Sequence, residues 1–312
     1  SNTDFDKISY SKVLGESLYS LANDYNYHCI TAAMNIGTGL KKFTDKYPDR
    51  SIDVGIAEEH AVTYAAGLSC SDIYPITAIY STFMQRSYDC IIHDFALQNL
   101  PGLFCMDRAG LVGNDGPTHH GVFDIGFMRS IPGMIVTAPK DGNEMFNLIH
   151  LAIENKLMLS MRYPKENTLF DLSICSKEKI ILGTWEVLLK GSKICILTFG
   201  SMISNSIKAA NLNNDNVTVV NCRFIKPIDE ELLSKLILEH DYFITIEEGV
   251  ISGGFGSSIL EYFSNNNVQK MIKIMGIQDE FTTHGDRNSL LKICKLDVKS
   301  IDIIIKNYLN EQ

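Results

Sequence analysis

The sequence predicts an α/β protein with two doubly wound, mostly parallel-sheet domains, and three observations carry that prediction. Short apolar runs alternate with longer amphipathic stretches almost from end to end, as strands and their crossover helices do. The 312 residues are the length of about two domains. The alternation breaks once, over residues 165–185, which are polar, irregular and then hairpin-like. We therefore place the domains at 8–165 and 185–312, joined by a linker at 166–184.

In the first domain the expected strands are 28-HCITAA-33, 51-SIDVGI-56, 74-YPITAIYS-81, 103-LFCMD-107, 134-MIVTAP-139 and 158-MLSMRYP-164. Helical patterns lie between most of them. From Asp141 to Glu154, for example, Met145, Leu148, Ile149 and Ala152 fall on one face, the 3.6-residue period of an amphipathic helix. The second domain repeats the plan with 194-ICILTFG-200, 217-VTVVNCR-223, 242-YFITIEEG-249 and 271-MIKIMGI-277.

Composition excludes several function classes. A net charge of −9 argues against a non-specific binder of nucleic acid or anionic membrane. No apolar run approaches the roughly 18 residues of a membrane span, and no signal-peptide pattern opens the chain. Eight cysteines (Cys29, Cys70, Cys90, Cys105, Cys175, Cys195, Cys222, Cys294) include no CxxC, and most lie in apolar runs. Buried reduced thiols have that distribution, so a reducing compartment is expected and no zinc site is. The chain opens at Ser1-Asn2 without a methionine, which reads as a processing or tag-removal scar and hence as a fragment.

Ligands of open α/β sheets sit beyond the carboxyl ends of the strands. Strand ends of the first domain lead to Glu58, to Phe83 and Arg86, to Arg108 with Asp115, His119 and His120, and to Lys165. Those of the second domain carry mostly glycine and acid, so the candidate site is assigned to the first. In 55-GIAEEHAVTYAAGL-68 two glutamates crowd against an alanine-rich helix, which is costly unless something uses them. Glu58 is the candidate; Glu59 reads as a solvated neighbour and His60 carries no role.

The stretch 108-RAGLVGNDGPTHHG-121 holds four glycines and a proline, so it is a shaped loop. Its arginine, aspartate and two histidines fit anion binding and proton handling, with an exposed, solvated loop as the alternative. In 80-YSTFMQRSYD-89, Ser81 or Thr82 is the expected helix cap. Phe83 there is either core or a flat face for an aromatic ligand. The glycine-rich 249-GVISGGFGSS-258 does not have dinucleotide-fingerprint spacing and reads as strand-to-helix packing. Trp185, His28, His93, His150, His240 and His284 form no cluster.

Taken together, 54-VGIAEEHAVTYAAGL-68, 79-IYSTFMQRSYD-89, 106-MDRAGLVGNDGPTHHGVFD-124 and 131-IPGM-134 closely resemble the 1-deoxy-D-xylulose-5-phosphate synthases. These are thiamine-diphosphate enzymes of the transketolase superfamily, serving non-mevalonate isoprenoid biosynthesis. The resemblance covers about their C-terminal half. It implies a pyrimidine-binding domain at 8–165 and a transketolase-type C-terminal domain at 185–312. The GDG-type segment that holds Mg²⁺ and the cofactor diphosphate in that family has no counterpart here, so only the pyrimidine half of thiamine diphosphate is expected to bind.

By resemblance, Glu58 is the carboxyl that hydrogen-bonds the cofactor's aminopyrimidine and promotes the tautomer it needs; the sequence leaves its protonation open. Phe83 is the pyrimidine-stacking ring, and Arg86 pairs with a nearby acid or lines the cofactor site. Tyr80, Arg108 and Asp115 match positions contacting the acceptor aldose phosphate or the bound intermediate, and His119 matches a histidine near the reacting carbon. The family's R-Y-P-R-G reads 162-RYPKEN-167 here; Lys165 keeps the charge for substrate phosphate without arginine's two-pronged geometry.

The resemblance implies a synthase that decarboxylates pyruvate and condenses the two-carbon unit with glyceraldehyde 3-phosphate, with this chain inactive alone. A homodimer is expected, in the bacterial cytoplasm or, alternatively, a plastid-type organelle. The rival readings are a separate subunit, such as a 2-oxoacid dehydrogenase beta chain or split-transketolase C-terminal half, and a non-catalytic dimerisation module.

Overall fold

A computed structural model describes residues 7–172 and 179–310; Ser1, Asn2 and Cys175, singled out above, lie outside the described residues. The strands in chain order are β1 (Lys7–Ser9), β2 (Tyr27–Thr31), β3 (Ser51–Asp53), β4 (Tyr74–Tyr80), β5 (Gly102–Asp107), β6 (Ile135–Thr137) and β7 (Met158–Arg162). They continue as β8 (Asn167–Leu169), β9 (Glu186–Leu189), β10 (Ile194–Thr198), β11 (Val217–Asn221), β12 (Phe224–Lys226), β13 (Tyr242–Val250) and β14 (Met271–Ile277).

Two main sheets result, as predicted. The first has the order β12-β6-β7-β5-β4-β2-β3 and is parallel except for β12. The second has the order β14-β13-β10-β11-β9 and is parallel except for β9. β1 and β8 form a small antiparallel pair. Every residue of β5, β10 and β11 is buried, because helices cover both faces of a parallel sheet and strands read as apolar runs. The helix Gly142–Glu154 starts where Asp141 accepts the Glu144 amide at 2.8 Å, and it buries Met145, Leu148, Ile149 and Ala152.

One strand was not predicted. The expected run 217–223 forms β11, which ends at Asn221, and the chain then crosses to the first sheet. There β12 pairs antiparallel with β6, Phe224 opposite Thr137 and Lys226 opposite Val136. Trp185 follows it into the interior, its indole donating to the Phe224 carbonyl at 2.8 Å. One apolar core accordingly runs from Leu103, Phe104 and Leu159 to Trp185, Phe199 and Phe255. A second cluster, on the other face of the second sheet, includes Ile196, Ile244 and Leu290. Among the described residues, no helix is long and apolar enough to cross a membrane.

Candidate active site

β3, β4, β5 and β7 run parallel, so their carboxyl ends line one edge of the first sheet. β3 stops at Asp53, whose Oδ1 accepts the amides of Ala33 (2.7 Å) and Gly55 (3.0 Å) and turns the chain. The helix Glu58–Ser69 follows. Glu58 lies in its first turn and is 2% exposed, whereas Glu59 and His60 are exposed. The helix dipole favours a carboxylate there, and the Arg86 guanidinium donates to Oε1 at 2.8 Å.

β4 leads directly into the helix Ser81–Met84. Neither Ser81 nor Thr82 caps it: the capping residue is Tyr80, without a side-chain bond. Ser81 is buried, and the Thr82 hydroxyl instead donates to the Thr118 carbonyl at 3.1 Å, tying this turn to the glycine-rich loop. Phe83 is half-buried, with Tyr80 stacked beside it at 6.0 Å and His119 edge-on at 5.4 Å. The Arg86 guanidinium lies 4.9 Å from the Phe83 ring centre.

β5 ends at Asp107, and Arg108 takes a left-handed φ of +60° that opens the loop. The Arg108 guanidinium covers the Tyr80 ring at 3.9 Å and donates to Asp115 at 3.2 Å. Lys165, beyond β7, donates to the same Asp115 oxygen at 2.7 Å and holds that carboxyl below the usual range. The pair is open to solvent on its lysine side, and breaking an accessible ion pair costs only about 0–1 kcal/mol. Arg108 and Lys165 line a cavity of about 420 Å³ together with Ser11, Lys12 and Gly37. The two adjacent histidines separate: His119 is half-buried at Phe83, whereas buried His120 accepts the Val112 amide and bonds the Thr283 carbonyl.

The eight residues to which the resemblance assigns roles therefore fall in one contact series, which excludes His120: Glu58, Arg86, Phe83 and His119, then Tyr80, Arg108, Asp115 and Lys165. Three features were not anticipated. Gly37 faces Tyr80 so closely that a Cβ there would stand 1.9 Å from the Tyr80 hydroxyl. Asp107 is fully buried beneath the site with no well-formed hydrogen bond. Glu248 of β13, one of the acids set aside in the second domain, accepts the Leu111 amide of the loop at 2.8 Å. None had a local signal, since each depends on a partner distant in sequence.

The glycine-rich segment after β13 is held by a carboxylate of β13 itself. Glu247 accepts the amides of Phe255 and Gly256 at 2.8 and 2.9 Å, occupying the helix N-terminus that a nucleotide phosphate would need.

A doubly wound sheet with a buried acid linked through an arginine to a half-buried ring, followed by a second parallel sheet, points to one class. The chain matches the family description "Transketolase, pyrimidine binding domain" over residues 6–169 and "Transketolase, C-terminal domain" over residues 183–301, and it belongs to the transketolase family. Within it, the chain is similar to 1-deoxy-D-xylulose-5-phosphate synthase of Aquifex aeolicus, 43% identical over 305 residues, covering 96% of this chain and 48% of that protein. It is likewise 45% identical over 307 residues to the synthase of Caldanaerobacter subterraneus subsp. tengcongensis, covering 97% and 49%. The chain thus spans about half the length of the curated relatives it matches.

Two solved structures share the fold. One, titled split gene transketolase, inactive beta4 tetramer, has a TM-score of 0.85 at 23% identity, covering 98% of this chain and 99% of that one. Transketolase of Campylobacter jejuni has a TM-score of 0.81 at 15% identity, covering 98% of this chain and 48% of that one.

The residues present fit the aminopyrimidine half of thiamine diphosphate: a buried carboxyl at Glu58 is joined to the half-buried Phe83 ring through Arg86, which bonds the one and lies over the other. Among the described residues, no group of three or more His, Cys, Asp or Glu is placed to hold a metal ion.

Proposed function

We propose that this chain is the pyrimidine-binding and acceptor-binding part of a 1-deoxy-D-xylulose-5-phosphate synthase. Residues 8–165 form its pyrimidine unit, 166–184 the linker and 185–312 the C-terminal unit. When bound, thiamine diphosphate supplies the carbanion-stabilising chemistry that joins pyruvate's two-carbon unit to glyceraldehyde 3-phosphate with loss of CO₂. Glu58 hydrogen-bonds the pyrimidine ring nitrogen, and Arg86 holds that carboxyl in place. Phe83 presents its face to the ring. His119 stabilises the developing alkoxide or moves a proton. Arg108 and Lys165 take the acceptor's phosphate, with Tyr80 and Asp115 aligning the arginine. The diphosphate and its Mg²⁺ fall to residues outside this chain, and the whole protein works as a homodimer in the bacterial cytoplasm.

The observation that carries this reading is the unbroken contact series from buried Glu58 to Lys165. Calorimetric titration of the chain with thiamine's aminopyrimidine fragment tests it. Glu58→Gln should weaken binding about tenfold, as loss of a charged hydrogen-bond partner does, and Phe83→Ala should weaken it comparably. Wild-type affinity in both variants would remove these residues from the site. The chain alone should show no turnover with pyruvate and glyceraldehyde 3-phosphate; robust deoxyxylulose phosphate formation would overturn the assignment of the diphosphate to other residues.

A second reading, a separately encoded subunit, is favoured by the near-complete mutual coverage with the split-gene chain. A reading frame that starts at this chain's first residues would support it; one continuing upstream into a diphosphate-binding segment would not.

A further inference from the structure

The second unit reaches the substrate loop with a buried charge. Both Glu248 oxygens are engaged: Oε1 accepts the Leu111 amide (2.8 Å) and the Arg287 Nε (3.1 Å), while Oε2 accepts the Ser201 hydroxyl and the Arg287 Nη2. Arg287 also donates to Glu166 at 2.7 Å. Glu248 is 1% exposed, and a buried carboxylate persists only when it is paired and hydrogen-bonded in this way.

The loop is built around that carboxylate. Gly110 has a φ of +80°, and a Cβ there would stand 2.7 Å from the Glu248 Cδ. Leu111 and Val122, at the two ends of the loop, are buried in the second sheet's own apolar cluster. The Val250 amide donates to the Val122 carbonyl at 2.9 Å, and His120 bonds the Thr283 carbonyl at 3.0 Å. Arg162 fixes the other side, donating to the Glu248 and Gly121 carbonyls and to Asp124.

We infer that Glu248 and Arg287 are positioning residues, through which the second unit holds the 108–121 loop in the geometry that presents Arg108, Asp115 and His119 to a phosphorylated acceptor. They touch no substrate atom; they act through the Leu111 amide. The ligand class rests on the function proposed above, whereas the bracing of the loop does not. Glu58 and Phe83 follow β3 and β4 and meet the braced loop only through the Thr82–Thr118 bond and the His119 ring, so the pyrimidine end of the site leans on the brace less than the acceptor end does.

The test compares the chain with its Glu248→Gln and Arg287→Lys variants, using amide hydrogen exchange and titration with glyceraldehyde 3-phosphate and with thiamine's aminopyrimidine fragment. Exchange should accelerate across 110–121 while β4, β5, β10 and β13 stay protected. Affinity for glyceraldehyde 3-phosphate should fall about tenfold, the scale of one weakened charged hydrogen bond, with a clearly smaller loss of pyrimidine affinity and a smaller effect in Arg287→Lys. Wild-type loop protection and acceptor affinity in both variants would overturn the proposal, and so would equal loss of both ligands with general loss of sheet protection. If Glu248→Gln does not fold, Arg287→Lys decides the comparison. If the wild-type chain binds neither ligand, the proposed function falls, and the exchange experiment still decides the brace.

Discussion

Asp107 is the residue whose surroundings conflict most with its charge. Burial pushes its carboxyl up to about 7, against relief from the Ser11 hydroxyl and the Arg108 and Lys165 charges. The folded chain therefore keeps a proton that the unfolded chain releases near pH 4. This contribution to stability is present below that pH and is lost as pH rises toward 7. Asp107→Asn should abolish this share of the decline, gaining on wild type by a few kcal/mol (order of magnitude) as pH goes from 5 to 8. Chemical denaturation across that range reads it. Parallel curves for the two proteins would show that Asp107 is ionised and satisfied when folded. Glu247, also raised to about 7 by burial, keeps its own part of the slope in the variant.

At the scale of elements, the turn around Gly37 and the end of β4 are fitted to one another. Gly37→Ala would drive a methyl group into the Tyr80 hydroxyl, and overpacking of this kind costs about 1–3 kcal/mol. Tyr80→Phe in the same chain should recover part of that loss, a coupling measured by a double-mutant cycle of unfolding midpoints; strict additivity would mean that the turn moves away instead. Elements of this sort divide cleanly into legible and illegible ones. The interior strands were legible because burial on both faces forces continuous apolar runs, and β5 and β10 fall where those runs do. The loop was legible as a loop from its glycines, and most of the contact series from Glu58 to Lys165 because its members follow strands of one parallel sheet; Tyr80, the last residue of β4, was marked only by the resemblance. β12 was not, since Phe224–Lys226 follows β11 after only two residues and nothing local marks the change of sheet. Glu248 was overlooked for a related reason: its partner is Leu111, 137 residues away.

For the whole molecule, the crossing at β12 ties the two sheets into one cooperative body. Phe224 is fully buried in the larger core, and the Ala138 amide donates to the Arg223 carbonyl beside the β6–β12 pair at 2.9 Å. The intact chain should accordingly melt in one calorimetric transition. A chain ending at residue 170 should melt lower and associate through its exposed β6 edge, as unpaired edges do; two independent transitions in the intact chain would contradict the coupling.

The same crossing gives synthesis an order. While the polypeptide is being translated, the first sheet keeps an open β6 margin until residue 226 has left the ribosome. By then β10 and β11 of the second sheet are already made. The early unit must wait, with an unfinished border, for a three-residue segment encoded inside the later one.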